Sequence, residues 1–253
     1  MKPPPFNRSR CRAGTRCLVG ISGGYSMSEI SNCGGKKTLT CLLAGAVLLL
    51  NCASPAKTHR KQADNTPGSF DYYLLTLSWA PEFCATHSSN ASSSECDPTH
   101  HFGFVVHGLW PENQDGSYPQ HCSPAQPVSQ NIVRQMLPIM PDSGLIQHEW
   151  STHGTCSGLD SQTYFGDIRK AFSQLKIPSE YQSPSQLVSA SPSEIEQKFA
   201  AANGAPGSAF RVSCSGSEFV ALEVCVNKDL QYRQCGSGVR ECRAPQVTVL
   251  PPK

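Results

Sequence analysis

The sequence predicts an α+β fold: a single disulfide-bridged domain in which a mostly antiparallel central sheet is flanked by helices. Three observations carry that expectation. Residues 70–79 and 102–107 are apolar, aromatic runs of strand length, and three more runs cluster toward the C-terminus, at 210–214, 219–226 and 246–250. Between these two sets lie stretches whose apolar residues recur at helical spacing. Cysteine is abundant, 13 in 253 residues, which points to an oxidising compartment.

Residues 1–56 read as an N-terminal extension ending in a signal peptide. Lys36 and Lys37 precede an apolar run over 39–50, and the small residues Ala53, Ser54 and Ala56 follow, with cleavage expected after Ala56. The run is too short to span a bilayer comfortably. The flanking lysines and the polar stretch behind it argue against a buried core helix. Cys52 offers a second outcome, lipidation and with it membrane attachment, but Asn51 is larger than the small residue usually found before a lipidated cysteine. Met27 is an alternative start, because residues 1–26 lie upstream of the signal. The expected destination is secreted or periplasmic.

The extension holds seven of the 21 Lys+Arg and one of the 19 Asp+Glu, which leaves 14 basic and 18 acidic residues and a formal net charge of −4. All eight histidines and eight of the cysteines remain. That balance excludes a general basic coat for nucleic acid. Any nucleic-acid binding must be local, and histidine protonation in mild acid should help it.

In chain order, residues 57–69 are polar, contain Pro67 and Gly68, and read as a disordered lead-in to a domain over 70–253. Residues 70–79 are apolar on both faces and read as a central strand covered on two sides, stopped by Pro81. Cys84 and Cys96 enclose a Ser/Asn-rich loop, read as a small disulfide loop. The strand over 102–107 ends at Gly108, which leaves His107 at its C-terminal edge. Residues 113–127 are a loop rich in turn formers. Ile132, Val133, Met136, Leu137 and Met140 give 128–140 a helical spacing, ended by Pro138 and Pro141. Phe165, Ile168, Phe172 and Leu175 mark an amphipathic helix over 161–176 with Ser161 as its cap. Ser191-Pro192-Ser193-Glu194 reads as a capping box with proline at the first helical position. The helix it opens carries Ile195, Phe199 and Ala202, and Gly204 ends it. There is no internal repeat and no glycine-rich phosphate loop.

Chemistry concentrates in two stretches, Phe104-Val105-Val106-His107-Gly108-Leu109-Trp110-Pro111-Glu112 and His148-Glu149-Trp150-Ser151-Thr152-His153-Gly154-Thr155-Cys156. Cutting RNA without metal needs one group to take the ribose 2′-hydroxyl proton, another to protonate the departing 5′-oxygen, and charge stabilisation on the phosphate. His107, His148 and His153 are imidazoles suited to these tasks. Glu149, four residues before His153, is placed to orient an imidazole or hold it protonated. Trp110 and Glu112 offer a stacking surface and a hydrogen-bond acceptor for a base. A zinc hydrolase is the distant third reading, and spacing argues against it: His148 and His153 are five apart, roughly 140° around a helix, where the zinc motif needs four. Cys156 as a nucleophile competes with a bridged role, and eight cysteines in an exported chain favour the bridge. His100, His101 and His121 read as structural, His59 and His87 as solvent-exposed.

Taken together, FVVHGLWPE and HEWSTHGTC resemble the two active-site segments of the T2 ribonucleases, the second usually written HEWxKHGTC. Leu77-Ser78-Trp79-Ala80-Pro81 with Cys84 resembles that family's opening strand. The stretch from Leu222-Glu223-Val224-Cys225 through Asp229-Leu230 to Cys235 resembles its C-terminal strand and cysteine loop in bacterial style, so the likeness covers about 70–250. The resemblance implies a T2-like fold and a base-nonspecific endoribonuclease acting on single-stranded RNA, not on DNA. It implies a monomer that needs no metal or other cofactor and yields 2′,3′-cyclic phosphates and then 3′-phosphates. It implies His153 as base, His107 as acid, His148 holding the phosphate, Glu149 supporting the pentavalent intermediate, and Trp110 with Glu112 holding the first base. Among the 105 pairings that eight cysteines allow, it implies Cys84–Cys96, Cys122–Cys156, Cys214–Cys242 and Cys225–Cys235. Two departures stand out. Thr152 occupies the family's lysine position, and loss of one such charge-stabilising donor costs on the order of 10²–10³-fold in rate. A catalytically weak, RNA-binding relative is therefore the alternative. Leu145, Ile146 and Gln147 replace an aromatic pair, which bears on the second base subsite.

Overall fold

The computed structural model describes residues 63–87, 94–97 and 99–252. The signal segment, Cys52, residues 57–62 and His59 lie outside them. Among the described residues six strands form one sheet: β1 (Tyr72–Trp79), β2 (Phe104–Glu112), β3 (Val188–Ala190), β4 (Phe210–Ser215), β5 (Glu218–Val226) and β6 (Val247–Val249). The order is β2-β1-β5-β6-β3, with β4 paired to β5 beside that path. All pairings are antiparallel except the short parallel contact of β5 with β6 at Glu218 and Thr248. The helices are α1 (Ala80–Thr86), α2 (Gln130–Met136), α3 (Ser143–Thr152), α4 (Ser161–Gln174), α5 (Ser179–Gln182) and α6 (Pro192–Asn203).

β1 explains the layering. Its odd residues Tyr73, Leu75, Leu77 and Trp79 enter the main core with Ile132 and Met136 of α2, Ile146 of α3, Phe165 and Ile168 of α4, and Ile195 and Phe199 of α6. Burying each such side chain contributes about 1.5–3 kcal/mol. Tyr72 and Leu74, on the opposite face by strand alternation, pack with Cys225 and Cys235 against Trp110 and Val239. The strand is covered on both sides, as its composition predicts.

Pro81 stops β1, as expected, by sitting in the first turn of α1, where its missing N–H costs nothing. Three local expectations change. β2 does not end at Gly108 but runs to Glu112, so His107 lies within it; β2 is the sheet's edge, where Pro111 deprives no neighbour of a hydrogen bond. Asp160, not Ser161, caps α4, accepting from Thr163 N–H at 2.8 Å. Residues 63–69, expected without structure, form a turn: the Asp64 carboxylate accepts from Thr66 and Ser69, and Gly68 N–H donates to the Cys156 carbonyl at 2.9 Å. The capping of α6 follows the sequence, with Ser191 Oγ accepting from Glu194 N–H and Gly204 left-handed at φ 61°. Disulfides join Cys84–Cys96, Cys122–Cys156, Cys214–Cys242 and Cys225–Cys235, the pairs that the resemblance implies. No helix among the described residues is long and apolar enough to cross a membrane.

Candidate active site

The register between β1 and β2 slips once. Thr76 faces Gly108 and Leu77 faces Val106, so His107 is the extra residue of a β-bulge. A bulge re-aims a side chain, and Ser78 Oγ lies 3.2 Å from His107 Nδ1, which fixes the ring. The other nitrogen, Nε2, then stands 3.8 Å from Glu149 Oε1.

Glu149 comes from α3. Asp142 caps that helix, accepting from Gly144 and Leu145 N–H. Its last turn delivers His153 as C-cap, whose N–H donates to the Glu149 carbonyl at 3.0 Å. The end is anchored from outside. His121, in the loop after β2, donates its backbone N–H to the Thr152 carbonyl at 2.8 Å, and the neighbouring Cys122 is bonded to Cys156. His121 is therefore structural in its backbone, as its place beside a cysteine suggests.

Trp110 joins the two segments. Its indole Nε1–H donates to Glu149 Oε2 at 2.7 Å. Its ring meets His107 edge-on at 5.6 Å between centroids and lies tilted by 30° against His153 at 5.3 Å. Trp110 thus does more than offer a stacking surface; it touches both imidazoles and holds the Glu149 carboxyl beside His107. Gly108 makes room, since a Cβ there would overlap both the Glu149 carboxyl and the indole nitrogen.

Burial sets the protonation states. Glu149 is 1% exposed, and burial pushes its pKa up to about 8 despite the Trp110 hydrogen bond. His153 is 8% exposed, its Nδ1 buried without a hydrogen-bond partner; burial, then the charges of His148, His107 and His121, bring its pKa down to about 4. His107 is lowered by burial and then by His148. At neutral pH the resting site therefore holds His107 and His153 as neutral imidazoles and Glu149 as a protonated carboxyl. His148 is exposed at the rim, near enough to act on both other rings. Thr152 is 4% exposed and its hydroxyl has no partner.

Two cavities adjoin the cluster. One of about 650 Å³ is lined by His107, Ser78, Glu82, Glu95, Asp142 and Leu145 among others, with no lysine or arginine in its wall. A second, about 250 Å³, places Glu112 and Trp110 with Leu74, Tyr118 and Glu223. The sequence reading overlooked Ser78, Tyr118 and Glu223. Alternation was the available signal: Glu223 is a lone acid in an apolar strand, and Ser78 shares a face of β1 with Thr76 rather than with the core residues. Among the described residues no group of three or more His, Cys, Asp and Glu side chains is arranged to hold a metal ion.

A probable ribonuclease of Haemophilus influenzae is 35% identical over 135 residues, 49% of this chain and about half of that protein's length. A ribonuclease of Aeromonas hydrophila is 33% identical over 193 residues, 72% of this chain and 84% of that one. Among solved structures, the RNase-related protein from Calystegia sepium shares the fold with a TM-score of 0.59 at 23% identity, covering 73% of this chain and 98% of that one. The family model of the ribonuclease T2 family matches residues 70–235, which include β1, the bulged strand and the helix that ends in His153. This chain belongs to the ribonuclease T2 family.

Proposed function

We propose that this chain is an endoribonuclease that cuts single-stranded RNA without metal, forming 2′,3′-cyclic phosphates and then 3′-phosphates. The observation that carries it is the seating of His107 and His153 against the same indole, 5.6 and 5.3 Å from Trp110. Two imidazoles so placed can serve the two ends of one transfer. His153, neutral down to about pH 4, takes the 2′-hydroxyl proton. His107, oriented by Ser78, gives a proton to the leaving 5′-oxygen. Glu149, a neutral acid below about pH 8, donates a hydrogen bond to the phosphate as charge builds there. His148 holds the phosphate from the rim. Trp110 and Glu112 hold the base on the 5′ side of the cut. DNA, lacking the 2′-hydroxyl, is not cleaved. Export is part of the proposal, resting on the apolar run over 39–50 and on four disulfides that need an oxidising compartment.

The protonation states set the pH profile. The base must be free of its proton, which requires a pH above about 4. The acid must carry one, which requires a pH below its lowered value, itself under 6.5. kcat/KM should trace a bell in mild acid, in EDTA, with cyclic phosphate as first product. His107→Phe and His153→Phe should each abolish cleavage. Wild-type rates in either variant, or an optimum above pH 7.5, would sink the assignment.

A second reading is a relative that binds RNA and turns it over poorly. The buried, unpartnered hydroxyl of Thr152, where the family keeps a lysine, favours it. It expects RNA affinity with negligible turnover and a large gain on Thr152→Lys. Ordinary turnover by the wild type would discard it.

A further inference from the structure

A third cavity, of about 820 Å³, lies beside the base pocket and shares Val239 and Arg240 with it. Its wall includes Gln114, Arg211, Ser237, Arg240, Glu241 and Arg243. Residues 57–253 contain seven arginines, and four of them are here, counting Arg233, which donates to Gln114. Against a formal net charge of −4 for residues 57–253, that is a marked local concentration of positive charge.

The four are not equivalent. Arg211 faces Glu196 at 3.9 Å and Glu241 at 3.8 Å and gives a hydrogen bond to the Phe210 carbonyl. Arg233 lies over the Tyr72 ring, 4.6 Å from its centroid. Both are spent on holding the wall. Arg240 and Arg243 are exposed and have no ion-pair partner among the described residues. The wall itself is fixed. Gly116, at φ 81°, lets its loop lie directly on Gly238, where a Cβ on either would strike the other's backbone. Ser237 donates through both N–H and Oγ to the Gln114 carbonyl, at 3.2 and 3.0 Å. The Cys225–Cys235 and Cys214–Cys242 bridges bracket the segment.

We propose that this cavity is a subsite for a non-scissile phosphate of the RNA strand, the one on the 5′ side of the nucleotide whose base enters the pocket of Trp110 and Glu112. The proposal rests on the ribonuclease reading above. A nucleotide in that pocket presents its 3′-phosphate to His107 and His153, so its 5′-phosphate leaves on another side. The cavity that continues from the pocket through Arg240 offers that phosphate two uncommitted guanidinium groups, whose planar fork suits phosphate oxygens. The chain thereby binds RNA locally despite its acidic balance.

The test compares ApU with pApU, which differ only in a 5′-phosphate, for wild type, Arg240→Ala, Arg243→Ala and Arg243→Lys. For the wild type, kcat/KM should be about tenfold higher on pApU, mostly through KM, as roughly 1.4 kcal/mol of phosphate binding requires. Arg243→Ala should remove most of that advantage and leave the ApU rate unchanged, while Arg243→Lys keeps part of it. If the wild type cleaves both at one rate, or if the advantage survives both alanine variants, the subsite is refuted and the ribonuclease reading stands. If ApU is not cleaved at all, the ribonuclease reading falls and takes the subsite with it.

Discussion

At the scale of single residues, the site is governed by what is denied water. Glu149 and His153 are nearly inaccessible, and burial moves their pKa values in opposite directions, the carboxyl up to about 8 and the imidazole down to about 4. The seat of the Glu149 carboxyl depends on Gly108. Gly108→Ala would push its methyl group into the Glu149 carboxyl and the Trp110 indole, breaking the 2.7 Å hydrogen bond between them. Overpacking of this kind costs about 1–3 kcal/mol. The expected outcome is a stability loss of that size by denaturant unfolding together with at least a tenfold fall in kcat/KM. A variant as active as wild type would show that the indole–carboxyl contact does not organise the site. The sequence made the reactive residues legible here because histidines, a carboxylate and a tryptophan crowd into two short runs. It did not show why Gly108 is a glycine. A glycine in a strand pattern reads equally as an ending or as a close approach, and only the arrival of α3 decides between them.

At the scale of elements, legibility follows length and periodicity. α4 and α6 each hold several turns of apolar spacing, and both were readable from sequence with their ends to within two residues. α1, β3 and α5 are too short to show a period, so they were not. β2 reads as ending at Gly108, with Pro111 soon after; its continuation to Glu112 depends on being an edge strand, which is a property of the sheet. The bulge at His107 follows from the pairing register and is likewise invisible in one strand alone. α3 is the element on which most depends, since its last turn must hold His153 within reach of a bulge 46 positions earlier. Cys122–Cys156 pins that turn. Replacing both cysteines by alanine should lower stability by about 2–5 kcal/mol, a fall in Tm of roughly 5–15 °C for a domain of this size. Because the bridge also positions His153, the proposed base, kcat/KM at 25 °C, where the variant remains folded, should drop at least tenfold. A drop in Tm with unchanged kcat/KM would make the bridge structural only.

At the scale of the whole molecule, buried ionisable groups tie stability to the acid range in which the site is expected to work. Glu95, Glu149 and Glu223 have pKa values raised by burial from 4.5 to about 7, 8 and 7. In each the folded chain keeps a proton that the unfolded chain has released, so its contribution is complete below pH 4.5 and is lost as pH rises through the folded value. His107 and His153 act in the opposite sense. Below 6.5 the unfolded chain takes up protons that the folded one resists, so stability falls as pH drops toward their lowered values. Between 4.5 and 6.5 three acids oppose two histidines and the acids prevail; between 6.5 and 8 the acids act without opposition. Below 4.5, Asp64, Asp97 and Asp160, held low by hydrogen bonds to Thr66, Thr99 and Thr163, lose their contribution as they protonate. The melting temperature should therefore peak near pH 5 and be lower by about 5 °C or more at pH 8, a shift that takes only 1–3 kcal/mol in a domain of this size. Glu95→Gln, at a carboxyl in the wall of the cavity that His107 also lines, should flatten part of the fall. A maximum at pH 7–8 would mean that these carboxyls reach water more freely than their burial indicates, and Glu149 would then be charged when RNA arrives, in the wrong state to donate a hydrogen bond to phosphate.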